Sequence, residues 1–146
     1  MRLFHTFGPG VRESDTRIFG SLLWNAAKGE SLSIRSDGTA VRSFLDLSDA
    51  VRGLIDVVNY GLPGSAYNIG SPDGIRIREF VELILKLFPT DHPKIKFDAL
   101  PSIDNYVVLP NVDKLSALGW SPSVSLPQTI TKTVTWIQHI ISSNNR

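Results

Sequence analysis

Short extended runs alternate with amphipathic helices along this chain, and no other feature limits its fold as tightly. Residues 2–7 alternate weakly in polarity and stop at Gly8-Pro9-Gly10, which reads as a strand entering a loop. From Arg17 to Lys28, the residues Ile18, Phe19, Leu22, Leu23 and Ala26 recur at the spacing of one helix face. Asp15 or Thr16 is the expected cap of this helix, and Gly29 its stop. Ser31 to Ile34 and Val41 to Leu45 read as short strands on either side of a turn at Asp37-Gly38. Ser48 is the expected N-cap of a helix running to about Asn59, broken by Gly61-Leu62-Pro63-Gly64. Ala66 to Ile69 reads as a buried strand. Ile77, Phe80, Val81, Ile84, Leu87 and Phe88 mark the clearest helix, stopped by Pro89. Lys94 to Phe97 is expected as a strand, and Asn111 as the cap of a short helix from Val112 to Leu118. Leu126, Ile130, Val134, Ile137 and Ile141 define the last helix.

That alternation predicts a mixed α/β fold, with strands too short and few for a complete doubly wound sheet. With 146 residues the chain suits one domain, 1–146: an edge strand at 2–7, a body over 11–141 and a polar tail at 142–146. A net charge of +1 carries no electrostatic case for nucleic-acid or membrane-surface binding. Cysteine is absent, which excludes disulfides, thiolate metal sites and a cysteine nucleophile. No apolar run approaches the length of a membrane span. The start of the chain does not read as a signal peptide, so the cytoplasm is the expected compartment.

Several kinds of chemistry are missing. A dinucleotide loop needs three close glycines opening a helix. Gly8 and Gly10 have the first spacing, but Glu13 stands in the third place, and Gly61 and Gly64 are followed by Tyr67. The three histidines, His5, His92 and His139, lie far apart with no metal-ligand spacing, so no metal is expected. No Gly-x-Ser-x-Gly elbow is present.

Five segments in order do carry a likeness: Arg2 to Gly10, Ser36 to Phe44, Asp49 to Gly53, Ala66 to Pro72, and Leu118-Gly119-Trp120-Ser121-Pro122. Together they resemble the C-terminal, substrate-binding half of an extended short-chain dehydrogenase/reductase of the NAD-dependent nucleotide-sugar epimerase/dehydratase type. His5 in place of the family's usual Asn, with Gly8-Pro9-Gly10 and Ser36-Asp37-Gly38, resembles the branch found in bacterial surface-polysaccharide clusters.

The resemblance implies the C-terminal part of a Rossmann-like fold, without the half that holds NAD and the Tyr-x-x-x-Lys pair. Tyr60, Tyr67 and Tyr106 are followed four residues later by Gly64, Ser71 and Pro110, so that pair does not occur. No catalytic residue and no cofactor are therefore expected for this chain alone, with NAD belonging to the full-length family. The implied function is the sugar-nucleotide-binding portion of such an enzyme, inactive in isolation. The alternative is a non-catalytic nucleotide-sugar-binding or protein-interaction module. The expected partners are a nucleotide sugar and either the missing Rossmann half or a second copy joined through residues 2–7, since an unpaired strand edge invites association.

The resemblance also assigns the candidate substrate-binding residues. Arg42 matches the family arginine on the sugar-nucleotide diphosphate, where a guanidinium makes bidentate, charge-assisted bonds; the plain alternative is a strand-end charge. Asn68, at a strand end, bonds the ligand or satisfies loop backbone. His5 stands where the family's Asn meets the phosphate region, or is a packed strand histidine. Arg35 stands where relatives place a Tyr against the base, and a guanidinium also stacks on a base. Arg17 opens the first helix, where a cation opposes the helix dipole and an anion would suit the free N–H groups. Relatives carry a second phosphate-binding Arg before the helix start that is here Pro110-Asn111, yet no Arg or Lys lies between Lys96 and Lys114. Its loss implies binding weaker by about 1.5–3 kcal/mol.

Overall fold

A computed structural model describes residues 1–34, 36–88, 95–97 and 107–144. In chain order the elements are β1 (Arg2–Leu3), β2 (Thr6–Phe7), α1 (Ile18–Lys28), β3 (Leu32–Ile34), β4 (Val41–Ser43) and β5 (Leu45–Asp46). Then come α2 (Leu47–Tyr60), β6 (Asn68–Ile69), β7 (Gly74–Arg76), α3 (Ile77–Leu87), β8 (Ile95–Phe97), β9 (Val107–Val108), α4 (Asp113–Ser116) and α5 (Leu126–Asn144). The fold is mixed α/β, as the alternation predicts.

The strands form small ladders instead of one sheet. β1 pairs β6, β2 pairs β5 and β3 pairs β8, all parallel; β4 lies between antiparallel β7 and parallel β9. Residues 2–7 are therefore not one strand on a bare edge, as expected, but two short pieces, each with its own neighbour. Among the described residues, β1 has no ladder on its other side. Neither β7 nor β9 is foreseen from the sequence, because two or three residues cannot display an alternation.

The helices sit close to their expected places, with different caps. Asp46, not Ser48, caps α2: its carboxylate accepts the Ser48 N–H at 2.8 Å and the Ser48 hydroxyl at 2.5 Å. α4 is shorter than expected; Asn111 Oδ1 still accepts the Asp113 N–H at 3.0 Å. Gly29 ends α1 with φ of 70°, a left-handed geometry that favours glycine. Pro89 lies outside the described residues, and α3 ends at Leu87 with Phe88 as its C-cap.

Two apolar clusters hold these elements. The larger joins α1, α3 and α5 around Phe7, Phe19, Phe44 and Phe80. Phe44 and Phe80 stack at 4.3 Å, and Phe7 and Phe19 at 5.4 Å. The smaller gathers Leu45, Ala50, Tyr67, Ile69, Leu115 and Trp120 between α2, β6 and α4. Buried Asp49 ties it to the 121–125 loop, accepting from Ser123 N–H and Oγ at 2.8 Å and Val124 N–H at 2.9 Å. No helix among the described residues is long and apolar enough to cross a membrane.

Candidate functional site

Residues 2–7 change partner in their middle. Phe4 N–H donates to the Ile69 carbonyl at 2.9 Å, whereas the His5 carbonyl accepts the Leu45 N–H at 2.9 Å. The chain thus leaves β6 for β5 at His5, and crevices at such changes of neighbour are where α/β sheets hold ligands. A hollow of about 300 Å³ opens here, lined by Leu3, Phe4, His5, Arg17 and Val108.

His5 is half-buried, its ring 6.2 Å from Phe19 and 5.9 Å from Phe44. Burial first, then the charges of Arg42 and Arg17, hold its pKa below the ordinary value.

Arg17 is the N-cap residue of α1, without a side-chain cap bond. Its guanidinium lies 4.6 Å from the Phe19 ring and is gripped by Asp15, Nε to Oδ1 at 2.9 Å and Nη2 to Oδ2 at 2.6 Å. That hydrogen-bonded pair lowers the Asp15 pKa and raises that of Arg17. Arg17 also borders two adjoining hollows, beside Gly8-Pro9-Gly10 and beside Arg12 and Ser14.

Arg42 sits half-buried on β4, in register with Val108, which lines the His5 hollow. Its Nη1 donates to the Val41 carbonyl at 2.9 Å. His5 and Arg17 thus line one hollow, and Arg42, outside its lining, acts on the His5 ring through its charge. Asn68 stays on β6, where its amide donates to the Asn111 carbonyl at 2.8 Å and ties strand to loop. Arg35 and His92 lie outside the described residues.

Sequence reasoning missed Asp15, Phe19 and Phe44 as parts of this site. The Asp15-x-Arg17 spacing was the available signal for the first. The two rings are also core residues, Phe19 on the apolar face of α1 and Phe44 beside β4. A larger hollow of about 540 Å³ lies on the other flank of Phe44 and Leu45, but its one charged lining residue is Asp73, which suits no anion.

Residues 1–70 match the model of the NAD dependent epimerase/dehydratase family. The UDP-glucuronic acid decarboxylase 1 of Danio rerio is 32% identical over 134 residues, covering 91% of this chain and 32% of its own length. The chain belongs to the NAD-dependent epimerase/dehydratase family. It spans about a third of the length of the curated relatives it matches. A dTDP-glucose 4,6-dehydratase from Bacillus anthracis, solved with NAD, superposes with a TM-score of 0.82 at 25% identity, covering 94% of this chain and 43% of that one. UDP-glucose 4-epimerase from Thermotoga maritima, solved with UDP-glucose, shares the fold with a TM-score of 0.83 at 24% identity, over 96% and 45% of the two chains.

Members of this family use NAD, so its fit here can be tested. A pyrophosphate turn needs close glycines that open a helix. A Cβ on Gly8 would come 2.8 Å from Leu47 Cβ, so its bareness serves packing. Gly10 has φ of 102°, but residues 11–17 intervene before α1 begins. The described residues therefore do not supply a pyrophosphate turn of this kind.

Proposed function

We propose that this chain is the nucleotide-sugar-binding portion of an NAD-dependent epimerase/dehydratase and holds the ligand's diphosphate at the His5–Arg17 hollow, beside Arg42. The observation that carries this reading is that His5 and Arg17 line one hollow at a change of strand partner, with Arg42 beside the lining residue Val108 and its charge acting on the His5 ring. Half-burial strengthens the pull of Arg42 on a diphosphate relative to open solvent, while Arg17 is exposed and shares its charge with Asp15. Asp15 fixes the Arg17 fork before any ligand arrives. Asn68 and Arg35 complete the proposed ligand set. The chain binds and orients, while hydride transfer and acid–base chemistry belong to the family's dinucleotide-binding half.

His5 with Gly8-Pro9-Gly10 and Ser36-Asp37-Gly38 supports placement in bacterial surface-polysaccharide synthesis, in the cytoplasm, although fish and plant decarboxylases also stand among the relatives. Calorimetric titration with UDP-glucose tests the binding reading. Millimolar or tighter binding is expected, weakened by about one to two decades in Arg42→Ala. Absence of binding at millimolar ligand, or an Arg42→Ala variant that binds like the parent, overturns it.

One observation favours a partner-binding role alongside. Leu47, Val51, Ile55 and Val58 stand exposed on the outer face of α2, with Val58 at 74%. Gly53 on the opposite face packs toward Ile69 of β6, the register partner of exposed Leu3. A strand added beside β1 and a helix laid on α2 would cover both, which is the shape of a further α/β unit. The dinucleotide-binding half is the proposed occupant; a second copy joined through residues 2–7 is the competing outcome, readable by sedimentation with and without that half.

A further inference from the structure

We propose that His5 makes ligand capture proton-linked: the site takes up one proton as it binds a diphosphate, so affinity climbs as pH falls. The inference rests on the binding reading above and extends it to the charge state the site selects.

The surroundings of the ring carry the argument. Phe19 from α1 and Phe44 from the stretch between β4 and β5 flank the imidazole and limit its access to water. Among the described residues, the charged groups acting on it are Arg42 from β4 and Arg17 from the start of α1. Carboxylates of α1's approach, β5 and α2 are committed elsewhere. Asp15 is spent on Arg17, and Asp46 of β5 on Ser48, Thr129 and Lys132. Asp49 of α2 is bound by Arg52, Ser123 and Val124.

Without a ligand, a protonated ring would be a third cation in a half-dry pocket, disfavoured by burial and by both guanidiniums. An anion seated among these groups reverses the sign. It offsets both arginines and offers an acceptor to an imidazolium N–H. The ring's proton affinity is then higher with ligand than without, and by linkage the ligand's affinity is higher with the proton than without. The gain is present at low pH and lost as pH rises through the ligand-bound pKa. An Asn or Gln in the same place could still donate to phosphate but could not carry the proton.

UDP-glucose is the suitable probe, because its diphosphate diester lacks the second phosphate ionisation near pH ~6 that would confuse a nucleoside diphosphate. Calorimetry from about pH 5.5 to 8 should show affinity rising on acidification, by at most about tenfold per pH unit, the ceiling for one linked proton. At one pH in that window, buffers of different ionisation heat should reveal net proton uptake. His5→Asn and His5→Gln should bind with a flat profile and no uptake. In the unmodified protein, NMR titration of the histidine rings should show the His5 pKa rising when UDP-glucose is added. Binding with equal pH slopes in the parent and the His5 variants, or an unmoved His5 pKa, overturns this inference and leaves the binding site standing. No binding by the parent at any pH overturns both. The NMR arm decides the matter if the variants fail to fold.

Discussion

At the scale of single residues, buried carboxylates do most of the unexpected work. Asp46 and Asp49 are almost inaccessible, at 2% and 1% exposure, yet the pKa of each lies below the ordinary value. Burial pushes both upward. For Asp46 this is outweighed by Lys132, by the Ser48 N–H and hydroxyl, and by Thr129. For Asp49 it is outweighed by the N–H groups of Val124 and Ser123, the Ser123 hydroxyl and Arg52. A depressed carboxylate contributes stability above the unfolded pKa of about 3.9 and loses it as pH falls through the folded value. Asp49→Asn is expected to cost about 1.5–3 kcal/mol at neutral pH, because the bonds lose their charged acceptor. Its urea midpoint should also fall less steeply than the parent's below about pH 4. A parallel acid profile would remove Asp49 from this role. The sequence marks Asp49 only as part of a family segment, since nothing in its neighbours announces a partner some seventy residues away.

At the scale of elements, α2 shows how one helix serves two surfaces. Ala50, Gly53, Leu54 and Val57 pack inward against the smaller cluster, while Leu47, Val51, Ile55 and Val58 face outward. Gly53 is needed for closeness: a Cβ there would lie 3.0 Å from Trp120 Nε1 and 3.3 Å from Ile69 Cγ2. Gly53→Leu should therefore destabilise the chain by about 1–3 kcal/mol through overpacking, measured by urea unfolding. Paired Val51→Lys and Ile55→Lys changes on the outer face should each shift stability by about 0.5 kcal/mol or less, since both side chains are exposed, at 46% and 54%. The same pair should abolish association with the proposed α/β partner in sedimentation. A large loss of stability instead would mean that the outer face packs within the chain.

At the scale of the whole molecule, the aromatic cluster is the joint between the helices and the site. Phe80 of α3 stacks on Phe44, and Phe44 lies against both Phe19 and His5. Phe80→Ala should cost about 3–5 kcal/mol, seen as a lower thermal midpoint. Because Phe44 loses its stacking partner, UDP-glucose affinity should fall as well at temperatures where the variant remains folded. Unchanged affinity in that variant would separate the site from the core.

Much of this protein is local, and that part was legible in the sequence alone. α1, α2, α3 and α5 follow from the 3.6-residue recurrence of apolar side chains, because helix hydrogen bonds and faces are built from near neighbours. The absence of a glycine-rich turn and of Tyr-x-x-x-Lys is equally a matter of residues and spacing. The tertiary structure alone decided the pairing of two- and three-residue strands, the burial of Asp46 and Asp49, and the commitment of Asn68 to a loop carbonyl. It alone placed His5 between two rings and in the field of Arg17 and Arg42. Those outcomes depend on groups far apart in sequence, whose meeting is set by how the helices pack and which ladder each short strand can join.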